Sequence, residues 1–271
     1  MVSFISKPVA FIYRDFINER SYKFAFLMQF FGIFISILTF FFLSQLFGKA
    51  IVSHLEPYGG NYFSFVLIGI ALFSYLEVSM RSLSNSIRQG QQLGTLEALL
   101  VTQTEIPTII LSSSVYSYIL TSFRVIVYFL FGVVIFGMEI GHANLTAGLL
   151  ILFLTIVSFS SLGIISASFV MVLKRGDPIS WVFSSLSGLL GGLLYPISVL
   201  PDWLQHLSYL LPITYSLEGM RLALLKGYSL GALMPNIVPL VVFSIVLLPI
   251  SVLIFGYSVK RAKMDGTLGQ Y

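Results

Sequence analysis

A long uncharged stretch decides the fold of this chain: residues 146–172 read TAGLLILFLTIVSFSSLGIISASFVMV. The stretch lies within a run that has no charged residue from Ile140 to Leu173. An α-helix needs about 20 apolar residues to cross the hydrocarbon core of a bilayer. Residues 146–172 therefore predict a membrane-spanning helix.

The rest of the chain repeats this pattern. Of its 271 residues, 57% are apolar and 10% are charged, whereas a soluble domain has about 25% charged residues. A soluble core of this size could not bury so much apolar surface, so lipid must cover part of it. We predict an all-α integral membrane protein, a single transmembrane domain over 1–271, with six spans at 24–47, 62–80, 109–136, 146–172, 179–195 and 236–257.

The distribution of Lys and Arg predicts the orientation. With six spans, eleven basic residues fall on the side of the termini, three fall on the other side, and Arg124 lies inside a span. Basic residues collect on the cytoplasmic face. We expect a multi-pass protein of the plasma membrane, the inner membrane of a bacterium, with both termini cytoplasmic. The net charge of +4 suits such a face better than a nucleic-acid surface.

The composition excludes several kinds of site. The chain has no cysteine, which rules out disulfides, thiol catalysis and Cys-based zinc sites. The three histidines are scattered and lack a carboxylate cluster, so we expect no metal site. No Gly-x-Ser-x-Gly motif occurs, and we expect no catalytic residue.

Two segments on the cytoplasmic side have amphipathic patterns. In 8–22, Val9, Ile12, Tyr13, Phe16 and Ile17 share one helical face, which predicts an interfacial helix that could serve only as an anchor. In 95–103, Thr95 is a suitable N-cap after Gly94, and Glu97 lies in the first turn. Leu96, Leu99 and Leu100 form an apolar stripe that could bind a cytoplasmic partner or pack on lipid.

A third segment, 202–225, lies on the outer side. It reads as two short helices separated by Pro212, each too short to span, which favours a re-entrant arrangement. Tyr195, Trp203 and Tyr215 suit the headgroup zone, and Pro196 fixes a corner. Such backbone must be buried in protein or face water. It could therefore line a route across the membrane or form a structural plug.

Charged groups within the membrane are functional candidates by default. Arg124 is the clearest, either as a structural partner of Glu77 or of a carbonyl, or as a cavity-lining residue. Glu77 lies near the cytoplasmic end of its span, where it can reach water. Glu218 and Arg221, at i and i+3, can pair with each other.

Two of these segments carry a resemblance to a known family. Gly94-Thr95-Leu96-Glu97-x-Leu99 after a second span resembles the coupling helix of type-2 ABC exporter permeases. The segment from Gly191 to Leu204, followed by Pro212-x-x-Tyr215-x-x-Glu218-x-x-Arg221, is similar to that family's pattern before the last span.

The resemblance implies a permease half-transporter. Two copies would pair, and two separate ABC ATPase subunits would bind ATP and Mg²⁺, since the sequence has no P-loop motif. Gly94, Thr95, Leu96, Glu97, Leu99 and Leu100 would couple to the ATPase, while Tyr195, Pro196, Trp203, Tyr215, Glu218 and Arg221 would line or gate the path. The cargo would be a lipid, lipid-linked glycan or drug. The alternative is a secondary transporter or channel, which would place more ionisable residues near the midplane than Arg124 alone.

Overall fold

The computed structural model describes residues 13, 17, 23–94, 106–138, 140, 143–173 and 176–264. This part of the chain is helical and contains no strand. Its α-helices are α1 (Lys23–Leu55), α2 (Tyr62–Gln92), α3 (Ile106–Val134), α4 (Leu145–Leu173), α5 (Pro178–Leu190), α6 (Asp202–Ser208), α7 (Pro212–Leu225) and α8 (Met234–Met264).

Five of these helices, α1, α2, α3, α4 and α8, are long and apolar enough to cross a membrane. The all-helical class is thereby confirmed. The predicted fifth span, 179–195, coincides instead with α5, which has 13 residues. At 1.5 Å per residue α5 is about 20 Å long, shorter than a hydrocarbon core of about 30 Å. The chain leaves the helix at Gly191 and Gly192, and Gly192 has a φ of +80°, so the six-span count stays a prediction.

The core is built around α4, which packs against α2, α7 and α8. Gly163 allows the close crossing with α2, because a Cβ atom there would collide with the carbonyl oxygen of Ser79. On the opposite side, the hydroxyls of Ser158 and Ser244 lie 3.0 Å apart and join α4 to α8. Small residues and hydroxyls of this kind hold helices together in lipid, where burial of apolar surface gives no driving force.

The contacts also fix helix directions. Ser158 of α4 lies beside Ser244 of α8, and further along both helices Met171 clusters with Val259 and Ala262. Thus α4 and α8 run in the same direction. In contrast, α7 runs antiparallel to α4, since the hydroxyl of Thr155 bonds with that of Ser216 at 2.8 Å and the Asn144 N–H donates to the Ala223 carbonyl at 2.9 Å.

Together α6 and α7 form a helical hairpin, called here the outer hairpin after the side of the membrane on which the sequence predicts it. Thr214 closes its turn by donating from Oγ1 to the Ser208 carbonyl at 2.6 Å. Ile213 is fully buried and packs on Gly191. The hairpin is therefore wedged against the end of α5 and the first half of α4.

Candidate functional site: a polar groove and the outer hairpin

One face of α2 carries a continuous row of polar and charged side chains. Ser74, Glu77, Arg81, Asn85 and Arg88 recur at spacings of three and four residues, which places them in one stripe along the helix. Helices α3 and α5 also pack against α2, and residues of both line the cavities over this stripe. The stripe is thus the floor of a groove, called here the α2 groove.

The groove has two connected parts. The part nearer the middle of α2 has a volume of about 460 Å³ and is lined by Glu77, Arg124 of α3 and Leu193, among others. The part nearer the end of α2 has a volume of about 600 Å³ and is lined by Arg88 and by Trp181 of α5, among others. Arg81 and Asn85 line both parts, so the two are continuous along the helix.

The charges in the groove are unevenly paired. The Glu77 carboxylate accepts from Nε of Arg81 at 2.9 Å, an i,i+4 pair on α2. Arg124 is half-buried in α3 and has no carboxylate within ion-pairing distance among the described residues. When the Gln29 amide is turned so that its oxygen faces α3, that oxygen accepts from Nε of Arg124 at 3.3 Å and also from Nη2. Arg124 is thus a cavity-lining cation with a neutral partner.

A polar network fixes the wall formed by α5. The Asp177 carboxylate caps this helix by accepting from the Ser180 N–H at 3.0 Å, and it also accepts from the Ser166 hydroxyl of α4. The Ser180 hydroxyl donates to the Met80 carbonyl of α2 at 3.0 Å. One carboxylate therefore ties the start of α5 to α4 and, through Ser180, to the floor of the groove.

Arg221 joins the outer hairpin to the end of the groove. Its side chain is 2% exposed, and it donates to the carbonyls of Phe65 (3.1 Å), Gly192 (2.8 Å) and Leu193 (2.8 Å). Its guanidinium carbon lies 3.3 Å from the centre of the Phe65 ring, a cation–π contact. Gly69 leaves room for this arrangement, because a Cβ atom there would lie 2.7 Å from the Leu193 carbonyl oxygen and 2.8 Å from Nη2 of Arg221.

The structure does not pair Glu218 with Arg221 as expected. Among the described residues no ion pair joins the two side chains. Burial raises the pKa of Glu218, while the side chain of Asn236 in α8 and the charge of Arg221 lower it. Glu218 thus lies near α8, and Arg221 links α7 to α2 and the Gly192 turn.

The other predicted gate residues lie in the outer hairpin or in the segment just before it. The Tyr195 hydroxyl donates to the Leu189 carbonyl, and Pro196 is buried. The Tyr215 hydroxyl donates to the Tyr209 carbonyl at 3.0 Å, whereas Trp203 is 66% exposed. The side chains of Tyr195 and Tyr215 thus stabilise the hairpin and the end of α5.

Of the predicted coupling residues, the structure describes Gly94. Gly94 follows α2 with a φ of +67°, a conformation that favours glycine. Thr95, Leu96, Glu97, Leu99 and Leu100 lie outside the described residues, as does nearly all of the expected interfacial helix at 8–22. Within the described residues no group of three or more His, Asp or Glu side chains could hold a metal ion.

Sequence reasoning missed the α2 groove. The predicted second span ends at residue 80, which leaves Arg81, Asn85 and Arg88 outside it, yet the helix continues to Gln92. Their spacing from Glu77 was the available signal. Trp181 and Ser180 gave no such signal, because only the fold brings α5 beside α2.

A comparison with known families adds the decisive observation. The family model of the ABC-2 type transporter matches residues 9–225. The chain belongs to this family. No curated protein matches the chain.

Family membership makes the chain a multi-pass membrane permease of the ABC-2 type. The match includes α1–α7, and with them both the Gly94–Leu100 segment and the outer hairpin. Helix α8 lies beyond the matched residues but is part of the same domain, because it packs along α4. The resemblance noted in the sequence is therefore confirmed at the level of the family.

Proposed function

We propose that this permease is the membrane subunit of an ATP-driven exporter that moves an amphipathic or hydrophobic substrate out of the cytoplasm. Two copies of the chain would pair, and two copies of a separate ATPase subunit would bind ATP and Mg²⁺ below them. Membership in the ABC-2 type transporter family is the observation that carries this proposal. The runner-up is a secondary transporter or channel that is not driven by ATP.

The α2 groove is suited to be the path. It extends from Arg88, near the end of α2, to Leu193, which bonds with Arg221 of the outer hairpin. Polar and charged side chains inside membrane segments are costly unless they face protein or a water-filled cavity. The groove supplies such a cavity, and the outer hairpin stands at its far end as a gate.

We further propose six membrane crossings with both termini on the cytoplasmic side of a bacterial inner membrane. The parallel course of α4 and α8 supports this count, because parallel helices require an odd number of crossings between them. Helix α5 with the turn at Gly192 would supply that crossing, and the outer hairpin would enter and leave on the outer side. The excess of basic residues on the side of the termini supports the orientation.

Coupling to the ATPase would act on the groove directly. The segment Thr95–Val101 connects α2, which forms the floor of the groove, with α3, which carries Arg124. Closure of the ATPase subunits on ATP would push this segment and shift the floor against the wall. The groove would thereby alternate between inward-open and outward-open packings.

The experiment introduces a charged side chain at the proposed contact with the ATPase subunit. Leu99→Asp should leave the membrane abundance unchanged and abolish co-purification of the ATPase or ATP-dependent export, because an unpaired charge would replace a buried apolar side chain. The control is Met264→Asp, since Met264 is 70% exposed near the end of α8, and this variant should keep the ATPase. Full retention of binding and export by Leu99→Asp would contradict the coupling role. Transport that persists without an ATPase and follows an ion gradient would favour the secondary transporter.

A further inference from the structure

The positive charges in the α2 groove exceed the negative ones. Arg81, Arg88 and Arg124 line it together with two carboxylates, Glu77 and Asp177. Glu77 is paired with Arg81, and Asp177 accepts from Ser166 and Ser180. Two guanidinium groups, those of Arg88 and Arg124, are left without a carboxylate partner among the described residues.

Arg124 stands at the depth where a free charge is most costly. The Tyr75 hydroxyl donates to Ser122 at 2.8 Å, which places this part of α3 level with the middle of α2. A cation half way along a membrane helix needs an anion, a polar wall or water. Gln29 offers Arg124 an amide oxygen but no charge.

The surroundings of Arg124 combine this cation with apolar surface. Ile70, Phe73, Val78 and Leu193 line the same part of the groove, and Trp181 stands 66% exposed near the end of α2 that carries Arg88. A ligand that fits both surfaces has an anionic head and an apolar body. Arginine is well suited to the head, since its planar fork of donors matches phosphate oxygens.

We propose that the α2 groove binds amphiphiles with an anionic headgroup such as a phosphate ester, and that Arg124 holds the anion midway across the membrane. This assignment rests on the proposed function, of which it specifies the substrate class. Arg88 and Arg81 attract the headgroup near the end of α2, and Arg124 receives it deeper in the groove. The acyl chains lie against the apolar residues and extend into lipid.

The test uses a tryptophan in the groove as the reporter. The chain has two tryptophans, so Trp203→Phe leaves Trp181 as the single fluorophore. The full chain is reconstituted in phosphatidylcholine vesicles that contain brominated phosphatidylglycerol or, in parallel, brominated phosphatidylcholine, and quenching gives the relative affinity. We expect a preference for phosphatidylglycerol of about fivefold or more, the size of one ion contact at the dielectric constant of water.

Several variants locate the source of the preference. Arg124→Gln should lower the ratio, and Arg124→Gln combined with Arg88→Gln should bring it close to one, because Arg88 lines the same part of the groove as Trp181. Arg124→Lys should retain the ratio, and Lys226→Gln, which removes an exposed cation after α7, should leave it unchanged. Glu77→Gln should retain or increase it, because Arg81 loses its internal partner. No preference in the parent protein, or a full preference in Arg124→Gln, would overturn the proposal.

Two further comparisons distinguish a lipid ligand from a soluble anion, and lipid binding from ATPase coupling. Inorganic phosphate should not release the brominated phosphatidylglycerol, and release by phosphate alone would assign the groove to a soluble anion instead. The assay requires no ATPase. Loss of the lipid preference while the ATPase still co-purifies would therefore reject this inference alone. Loss of ATPase co-purification while the lipid preference is kept would reject only the proposed coupling.

Discussion

Replacement of Arg221 by methionine tests how the outer hairpin is held. Methionine has a similar length but no donor, so the variant leaves three carbonyls without their guanidinium. The Phe65 carbonyl belongs to α2 and keeps its helical bond, whereas those of Gly192 and Leu193 lie outside helices. Arg221→Met should therefore destabilise the junction between α2, the Gly192 turn and α7.

The magnitude follows from the lost contacts. Each buried carbonyl left without a donor costs about 1–3 kcal/mol, and the cation–π contact with Phe65 adds about 1–2 kcal/mol. Part of this loss is offset, because the variant no longer buries a charge. We expect a net loss of about 3–5 kcal/mol in the free energy of unfolding, or roughly 6–20 °C in Tm at about 2–4 °C per kcal/mol.

The assay is thermal unfolding of the purified full chain in detergent, followed by tryptophan fluorescence. Arg221→Lys should be intermediate, because one ammonium group cannot reach three carbonyls. Lys226→Met, at an exposed cation just after the same helix, should unfold at the parent Tm. Gly69→Ala should lower the Tm and be less than additive with Arg221→Met, since both act on the Leu193 contact. A Tm within about 2 °C of the parent for Arg221→Met would refute the reasoning.

Three other substitutions have definite outcomes. Gly163→Ala should lower the Tm by several degrees or prevent recovery of monodisperse protein, because its Cβ would collide with the Ser79 carbonyl, whereas Gly256→Ala should be neutral because nothing lies within 4 Å. Asp177→Ala removes a cap contact worth about 1 kcal/mol and should lower the Tm by about 2–4 °C; Asp202→Ala, at a helix start with no side-chain cap, should change it less. A cysteine at Gln270 should react with a membrane-impermeant maleimide only after the cytoplasmic face is exposed, and labelling from outside intact cells would contradict the proposed orientation.

The long helices could be predicted from sequence because lipid imposes a simple rule. A charge-free run of sufficient length must be a helix, since its backbone groups find no other partners in the bilayer. The same rule did not predict where the helices end. It closed the second span at Met80, although α2 continues to Gln92 as the floor of the groove. It also extended the fifth span past Leu190, the last residue of α5.

The partners of the charged residues could not be predicted. The acceptors of Arg221 are 156, 29 and 28 residues away in the chain, and each is a backbone carbonyl that no residue type reveals. Gln29 likewise meets Arg124 only because α1 and α3 are neighbours. The residue type and its depth in the membrane identify a charged residue as a functional candidate. Only the fold determines which group forms the hydrogen bond or ion pair with it.

The central claim is that this permease depends on a separate ATPase. The most direct measurement is ATP hydrolysis by the affinity-purified chain, with and without the subunit that co-purifies from its native membranes. We predict hydrolysis only in the fraction that contains a P-loop ATPase, and none by the isolated chain, because its sequence has no phosphate-binding loop. Robust hydrolysis by the isolated chain, or the absence of any ATPase partner from an active preparation, would contradict the account.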